Sequence, residues 1–461
     1  MSATHATTPH LPAPDGPAGP DGPAGPDGPD GPAGPYGSRL LDGWFSTGAP
    51  AGLDQHLHRY GPPPLPRSRQ GGLLIRAVEE AGLTGRGGAA FPTGRKLRTV
   101  AEARGRAVLV ANGMESEPAS RKDQLLLDLA PHLVLDGMSL AAAAVGADEI
   151  HLCLPRSRAA QARALTAALV ARRRAGLDPV PVRIHTLPHH YVSSEETSLV
   201  NWLNGGDARP LATPPRPFEK GVGGRPTLID NVETLAHLAL IARYGPAWYR
   251  GTGAPDAPGT TLVTVTGAVR NPGVYEIPLG TPVGHILGTA GGPAQPLGAV
   301  LVGGFFGSWL TAADAAPVPF SKPGLAAAGA GPGAGVLIAL AEGACGLAET
   351  ADVLRYLAAQ SARQCGPCRF GLPAAAEDFA TLAWGGADRE LLDRLRRRVG
   401  LLPGRGACRH PDGAARLAAT ALQVFADDVR HHQHGRPCAA ANEPATVAVP
   451  DLPGPELEGW R

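Results

Sequence analysis

Three short apolar runs spaced by helix-length stretches constrain this chain more than any other feature. RAVLVAN (106–112), EIHLCLP (149–155) and VPVRIHTL (180–187) each read as a buried strand. Between them, the runs from Leu125 to Val145 and from Arg158 to Arg173 have helical spacing and length. Such strand–helix alternation predicts an α/β layer on a largely parallel sheet. Ligands of such sheets gather outside the carboxyl ends of the strands, so the segment after Asn112 is where chemistry is expected.

The texture changes further along. TTLVTVTGAV, the turn RNPG and VYEIPLG read as a hairpin, with a short helix after Thr281 and another strand in AVLVGGF (299–305). Together they predict a small β-rich module of β-grasp shape, with 324–345 as loop plus strand. From about 347 the pattern is helical. ETADVLRYLAAQSARQ, with a cap at Thr350, is followed by DRELLDRLRRRV and AARLAATALQVFADDV, each with one apolar face. They suggest a C-terminal four-helix bundle with cysteines at the helix ends. A Gly-every-third-residue run at 13–37 is too short for a triple helix and reads as a solvated, disordered tail. The expected division is a tail over 1–40, an α/β domain over 41–250, a β-grasp module over 258–335, a helical domain over 345–435 and a tail over 436–461.

A net charge of +1 provides no broad field for nucleic acid or anionic membrane. With no secretory pattern and no apolar stretch of about 18 residues, the expectation is a cytoplasmic protein without direct membrane insertion.

GLTGRGGAAFPTGRK (82–96) groups Gly85, Arg86, Gly87 and Gly88, then Phe91 and Lys96. Glycines let backbone N–H groups approach an anion, and the basic residues add charge, so the loop suits a phosphate or forms an ordinary turn. It fits neither G-x-G-x-x-G after a strand nor G-x-x-x-x-G-K-[ST]. The chain has only four lysines, which makes Lys96 and Lys122 more informative than usual. ANGMESEPASRKD (111–123) brings Asn112, Glu115, Glu117, Lys122 and Asp123 to the end of a strand. SSEETS (193–198) and DNVETL (230–235) add acids and the pair Asn231 and Thr234, suited to a ring or ribityl hydroxyl.

Four of the six cysteines cluster late, as Cys365 and Cys368 in CGPC, then Cys408 and Cys438. That spacing favours metal ligation over disulfides, with an iron–sulfur cluster and structural zinc both open. A thioredoxin-type pair would open a helix after a strand, whereas here a helix precedes it. His431, His432 and His434 read as a solvated helix end.

GRGGAAFPTGRK, NGMESEP with KD, SSEET, PTLIDNVET and CGPCR, in this order, resemble one family across about 50–435. It is the family of the flavoprotein subunit of NADH-quinone oxidoreductase (complex I), with relatives in NAD-linked hydrogenases and formate dehydrogenases, and this chain reads as a divergent member. The resemblance implies an oxidoreductase in which NAD(P)H reduces FMN and single electrons pass to a 4Fe–4S cluster. It implies that Gly85, Arg86, Gly87, Gly88 and Lys96 cradle the flavin phosphate and that Asn112 and Asn231 hold its ring or ribityl chain. Glu115, Glu117 and Glu196 would line the nicotinamide side, with Phe91 beside them, and Cys365, Cys368 and Cys408 would ligate the cluster. Implied partners are other electron-transfer subunits, or a ferredoxin where a protein replaces NADH.

Departures from the pattern carry their own expectations. Ala362 stands where the family has its first cluster cysteine, so Cys438 is the candidate fourth ligand. Met114 replaces an acidic flavin contact. Thr213-Pro214-Pro215-Arg216 replaces K-P-P-F, removing a lysine and an adenine-stacking ring, although the planar guanidinium of Arg216 can also stack.

Overall fold

The computed structural model describes residues 39–41, 48–66, 71–385, 388, 390–451 and 459–461; the glycine-rich run at 13–37 lies outside them. Strands β1 (Ala107–Asn112), β2 (Ala147–Pro155), β3 (Val182–Leu187) and β4 (Thr227–Asn231) form a parallel sheet in the order β3-β2-β1-β4. The first three are the runs read from sequence, and β4 is an addition. β1 is apolar throughout because both its faces are covered: Leu109 and Ala111 join one core, Val108 and Val110 another.

Helices α1 (Leu53–Tyr60), α2 (Gly71–Ala81) and α3 (Thr93–Ala101) precede the sheet. The run expected as one helix from Leu125 is two, α4 (Lys122–Leu129) and α5 (Pro131–Val145), bent by 97°. Pro131 has no N–H to continue α4 and opens α5 instead. α6 (Ala159–Arg174) and α7 (Glu196–Leu203) follow, then α8 (Val232–Arg250). α5 and α8 cross at Gly137, where a Cβ would lie 1.9 Å from the Leu235 carbonyl oxygen, so only glycine admits the approach. Buried Asp136 on α5 accepts from His56 (2.8 Å) and pairs with Arg172 (2.8 Å) and Arg243, locking α1, α6 and α8 to one carboxylate. Among the described residues no single helix is long and apolar enough to cross a membrane.

A ribbon of β5 (Gly253–Ala254) and β6 (Ala257–Pro258) leads to a second sheet. It comprises β7 (Thr260–Gly267), β8 (Gly273–Pro278), β9 (Leu297–Val302), β10 (Ser308–Thr311) and β11 (Val336–Ala341), ordered β10-β9-β11-β7-β8. The central β11–β7 pair is parallel and the outer pairs are antiparallel, with α9 (Val283–Thr289) in between in sequence, the β-grasp-like pattern expected. Short helices α10 (Ala312–Ala315) and α11 (Lys322–Ala327) complete it. Glu276 on β8 binds the distant N-terminal segment, accepting from the amides of Arg39 (2.7 Å), Leu40 (2.9 Å) and Leu41 (3.1 Å).

The C-terminal region is helical: α12 (Gly346–Ala359), a π-helical turn at Pro367–Gly371, α13 (Leu372–Trp384), α14 (Leu391–Leu401), α15 (His410–Val424) and α16 (Ala426–His432). Their apolar faces share one core. α12 is capped by Cys345, whose Sγ accepts from Ala348 N (3.4 Å). Thr350, expected as the cap, lies inside the helix and takes the Trp309 indole N–H (2.9 Å). Part of the stretch expected as a tail after 436 packs against α12: Ala441 and Val447 are buried, and Glu349 accepts from Thr446 N (2.7 Å) and Val447 N (2.8 Å).

Candidate functional site

The carboxyl ends of β1 and β4 lie side by side with Asn112 and Asn231 in register, and most of the polar residues expected at the site converge on this edge. Asn112 Nδ2 donates to the Ser194 carbonyl (2.8 Å). Asn231 caps α8, its Oδ1 accepting from Glu233 N (3.0 Å), while its Nδ2 donates to Asp123 (2.6 Å). Thr234 accepts from the Arg86 amide (2.9 Å), tying the glycine loop to α8. In that loop Gly88 has φ +108°, a conformation that favours glycine. Ala90 holds φ +46° without that freedom, at a cost of about 1 kcal/mol.

Two residues expected at the site are already engaged within the protein. The Arg86 guanidinium donates to the Thr84 carbonyl (2.9 Å), the Tyr249 hydroxyl (2.9 Å) and the Thr260 carbonyl (3.0 Å). These bonds anchor the loop. Glu115 is consumed structurally: Ser120 Oγ (2.9 Å), Asp123 N (2.8 Å), Gln124 N (3.0 Å) and Arg158 (2.9 Å) all donate to it. No lone pair is left for a substrate, and the carboxylate serves as a cap for α4.

Glu196 and Lys96 remain at the open edge. Lys96 Nζ donates to Glu196 (2.6 Å) and Ile229 O (2.5 Å) and lies 3.6 Å from Asp230. The Glu196 side chain is 45 % exposed. Burial opposes the Lys96 charge, but Asp230 and Glu196 outweigh it and raise its pKa. Phe91 is 46 % exposed with Arg95 over its ring. Sequence reasoning missed Asp230 and Glu233. Both sit in DNVET, but an acid's partner on a distant loop leaves no mark on local spacing.

Glu117 is buried between the two sheets' loops, accepting from the Tyr191 hydroxyl (2.7 Å) and from Phe305 N (2.9 Å). Desolvation pushes its pKa up to about 7, against the pull of those hydrogen bonds. A carboxyl raised above its unfolded value, near about 4.3, loses its contribution to stability as pH rises from there to about 7, and the loss levels off above. Glu117→Gln keeps a neutral acceptor there. Its Tm should match wild type near about pH 4 and exceed it by several degrees at about pH 8, read by thermal scans across that range.

Thr93 Oγ1 and Asp230 Oδ2 are buried without a hydrogen-bond partner, whereas Arg86 Nε faces the Glu233 carboxylate across 3.7 Å. A cavity of about 150 Å³ opens between Gly85, Gly88, Lys122, Thr261, Lys322 and Gly333. Orphaned donors and acceptors beside two asparagines fit the hydroxyls and ring heteroatoms of a flavin. The loop's sheet-facing cation, Lys96, fits its phosphate in competition with Asp230 and Glu196.

Five of the six thiols form two groups, and Cys153 lies apart, buried on β2. Burial raises the Cys368 pKa, and Cys365 and Cys408 are the charges it feels next. Cys368 lies just past the carboxyl end of α12, its carbonyl 3.5 Å from Ser361 Oγ. Cys408 lies two residues before His410, which bonds the Leu357 carbonyl (2.8 Å). This trio suits an iron–sulfur cluster, and buried Ala362 supplies no fourth sulfur. Cys438 does not replace it. It stands with Cys345 and His432, and Cys345 marks the opposite end of α12, about 20 Å away for a helix of this length. His432, expected in solvent, is fully buried.

Fold and site define a flavin-type α/β layer joined through a β-grasp-like module to a thiolate-bearing helical region. The family model described as Nuo51 FMN-binding domain matches residues 78–240. The NADH-ubiquinone oxidoreductase-F iron-sulfur binding region matches 348–432, and the SLBB domain matches 262–303. The F-type subunit of NADH-quinone oxidoreductase from Salmonella typhimurium is 34% identical over 77% of this chain and 83% of its own length. The second F-type subunit of Rhizobium meliloti is 30% identical over 79% and 90%. An air-oxidised NAD+-reducing NiFe-hydrogenase superposes with a TM-score of 0.75 at 31% identity, covering 86% of this chain and 67% of that one. The chain belongs to the family of the F-type subunit of NADH-quinone oxidoreductase.

Proposed function

We infer that this chain oxidises NADH by way of FMN and hands single electrons through an iron–sulfur cluster to partner electron-transfer subunits. The observation that carries this reading is the convergence of the glycine loop, Asn112, Asn231, Lys96 and Glu196 on one sheet edge. Bound FMN supplies hydride acceptance and one-electron release, and the cluster supplies single-electron carriage. The chain's own part is positioning. Gly85, Gly87 and Gly88 let the backbone approach the cofactor, Asn112, Asn231 and Thr234 orient it, and Lys96 meets its phosphate. Glu196 and the half-exposed Phe91 line the side from which a nicotinamide enters. Glu117 holds that wall to the β-grasp-like module. A second cavity, of about 230 Å³, is lined by Pro215, Pro217 and Lys220. It offers the adenine end a lysine that Thr213 does not. Cys365, Cys368 and Cys408 bind the cluster within a four-helix bundle of the C-terminal helices. The functional units are 41–250, 258–335 and 345–435.

Asp230 shares Lys96 with an incoming phosphate, so Asp230→Asn should tighten FMN binding about tenfold at pH 7.5. Burial raises the Asp230 pKa to about 6 although Lys96 holds it down, so the gain should shrink below pH 6, where the wild-type acid is protonated. Fluorescence titration of the apoprotein reads both.

The experiment for the whole reading is anaerobic: measure iron and the visible spectrum, then add NADH. Bleaching of a flavin band near about 450 nm is expected. Flavin and iron present, with no bleaching by NADH or NADPH, would overturn NADH as donor and assign a ferredoxin or partner reductase instead.

A further inference from the structure

Cys345, His432 and Cys438 lie far apart in sequence, yet their ligand atoms all fall within 4.8 Å of one another. The first two are buried and the third is half-buried. A tetrahedral zinc ion with sulfur ligands at about 2.3 Å spaces them about 3.8 Å apart, so the group has the dimensions of a single-ion site. A cubane cluster spreads its thiolates wider.

His432 is oriented for this role. Its Nδ1 faces the Leu382 carbonyl (3.2 Å), so the proton sits on Nδ1 and the Nε2 lone pair points inward, where the Cys438 amide now meets it (3.0 Å). Imidazoles that bind metals are held in this way by a carbonyl behind the ring. Cys345 caps the N-terminus of α12, its Sγ accepting from Ala348 N (3.4 Å) and lying on the same side as His432 and Cys438. The chain beyond Cys438 then runs across the helices: Trp384 Nε1 donates to the Ala441 carbonyl (2.9 Å), and Glu349 takes the amides of Thr446 and Val447.

We propose that Cys345, His432 and Cys438 bind one zinc-class divalent ion, with two thiolates, one imidazole and a water, that fastens the segment after residue 437 to the start of α12. Binding releases two thiol protons and moves no electrons. The site is independent of the cluster trio at the other end of α12.

The test is metal analysis of the purified full chain. About one equivalent of zinc per chain is expected beside the iron, and Cys345→Ser and Cys438→Ser should each lose it while iron stays unchanged. His432→Gln, which removes one of the three protein ligands, should lose it as well while iron stays unchanged. Cobalt titrated into the wild-type chain, which needs no variant to fold, should give the intense visible bands of a tetrahedral thiolate site. Three results would overturn the proposal: wild-type protein that binds neither zinc nor cobalt, a Cys345–Cys438 disulfide in the protein as isolated, or loss of iron in Cys438→Ser.

Discussion

Glu233→Ala is expected to cost about 3–5 kcal/mol, the largest loss of stability from any single side chain at this site. The carboxylate is fully buried and is the one acid shared by Lys122 (2.8 Å) and Arg86 (3.7 Å). It also accepts from Leu262 N (3.0 Å) and Thr261 Oγ1 (3.0 Å), so it joins α8 to the first strand of the second sheet. Desolvation pushes its pKa up, but Lys122, His237 and Arg86 outweigh that and hold it well below the usual range. A depressed acid stabilises the fold above its unfolded value near about 4.3, and that contribution fades as pH falls below it. Wild type should therefore lose stability between about pH 5 and 2 more steeply than Glu233→Gln, which keeps acceptors but carries no charge. Denaturant midpoints at about pH 7 and at steps from about pH 5 to 2 measure both effects, and equal slopes for the two proteins would disprove the account.

Cys368→Ser should abolish transfer to one-electron acceptors while leaving flavin reduction by NADH intact. With three thiolates for a cluster, removing the buried one leaves two, and iron content should fall to background. The converse change should strengthen the centre. Ala362→Cys places a sulfur on the wall of the trio, and the cluster should then survive air at least about tenfold longer, with iron per chain rising toward four. Iron assay and electron paramagnetic resonance read both variants. Unchanged iron in Cys368→Ser would remove this residue from the ligand set.

How far residues could be read before the structure depended on whether their partners were local. The parallel strands were legible because burial on both faces of β1 demands an unbroken apolar run. The glycine loop and both asparagines could be singled out because those residue types at strand ends suit phosphate and ribityl chemistry, and the two asparagines do lie in register at adjacent strand ends. The partners that engage Arg86 and Glu115 could not be read in advance, because a side chain's direction is set by residues far along the chain, here Thr260 and Arg158. Thr350 looked like a cap by type, whereas the helix begins at a cysteine, a poor capping signal. His432 looked solvated beside two other histidines. Its burial depends on α13 and on the return of the chain past Cys438, which no local pattern announces.

Glu276 and Glu349 each hold a segment near one end of the described chain by its backbone amides, Glu276 those of residues 39–41 and Glu349 those of 446 and 447; beyond the second, the Trp460 ring stacks on His190. Neither segment can therefore be trimmed freely. Deletion past residue 38, or back through residue 447, would strand a desolvated acid inside the molecule as well as remove a few residues. Fusions and affinity tags belong outside those two points. The same geometry means that digestion by an exopeptidase should not pass either fastening while the molecule remains folded.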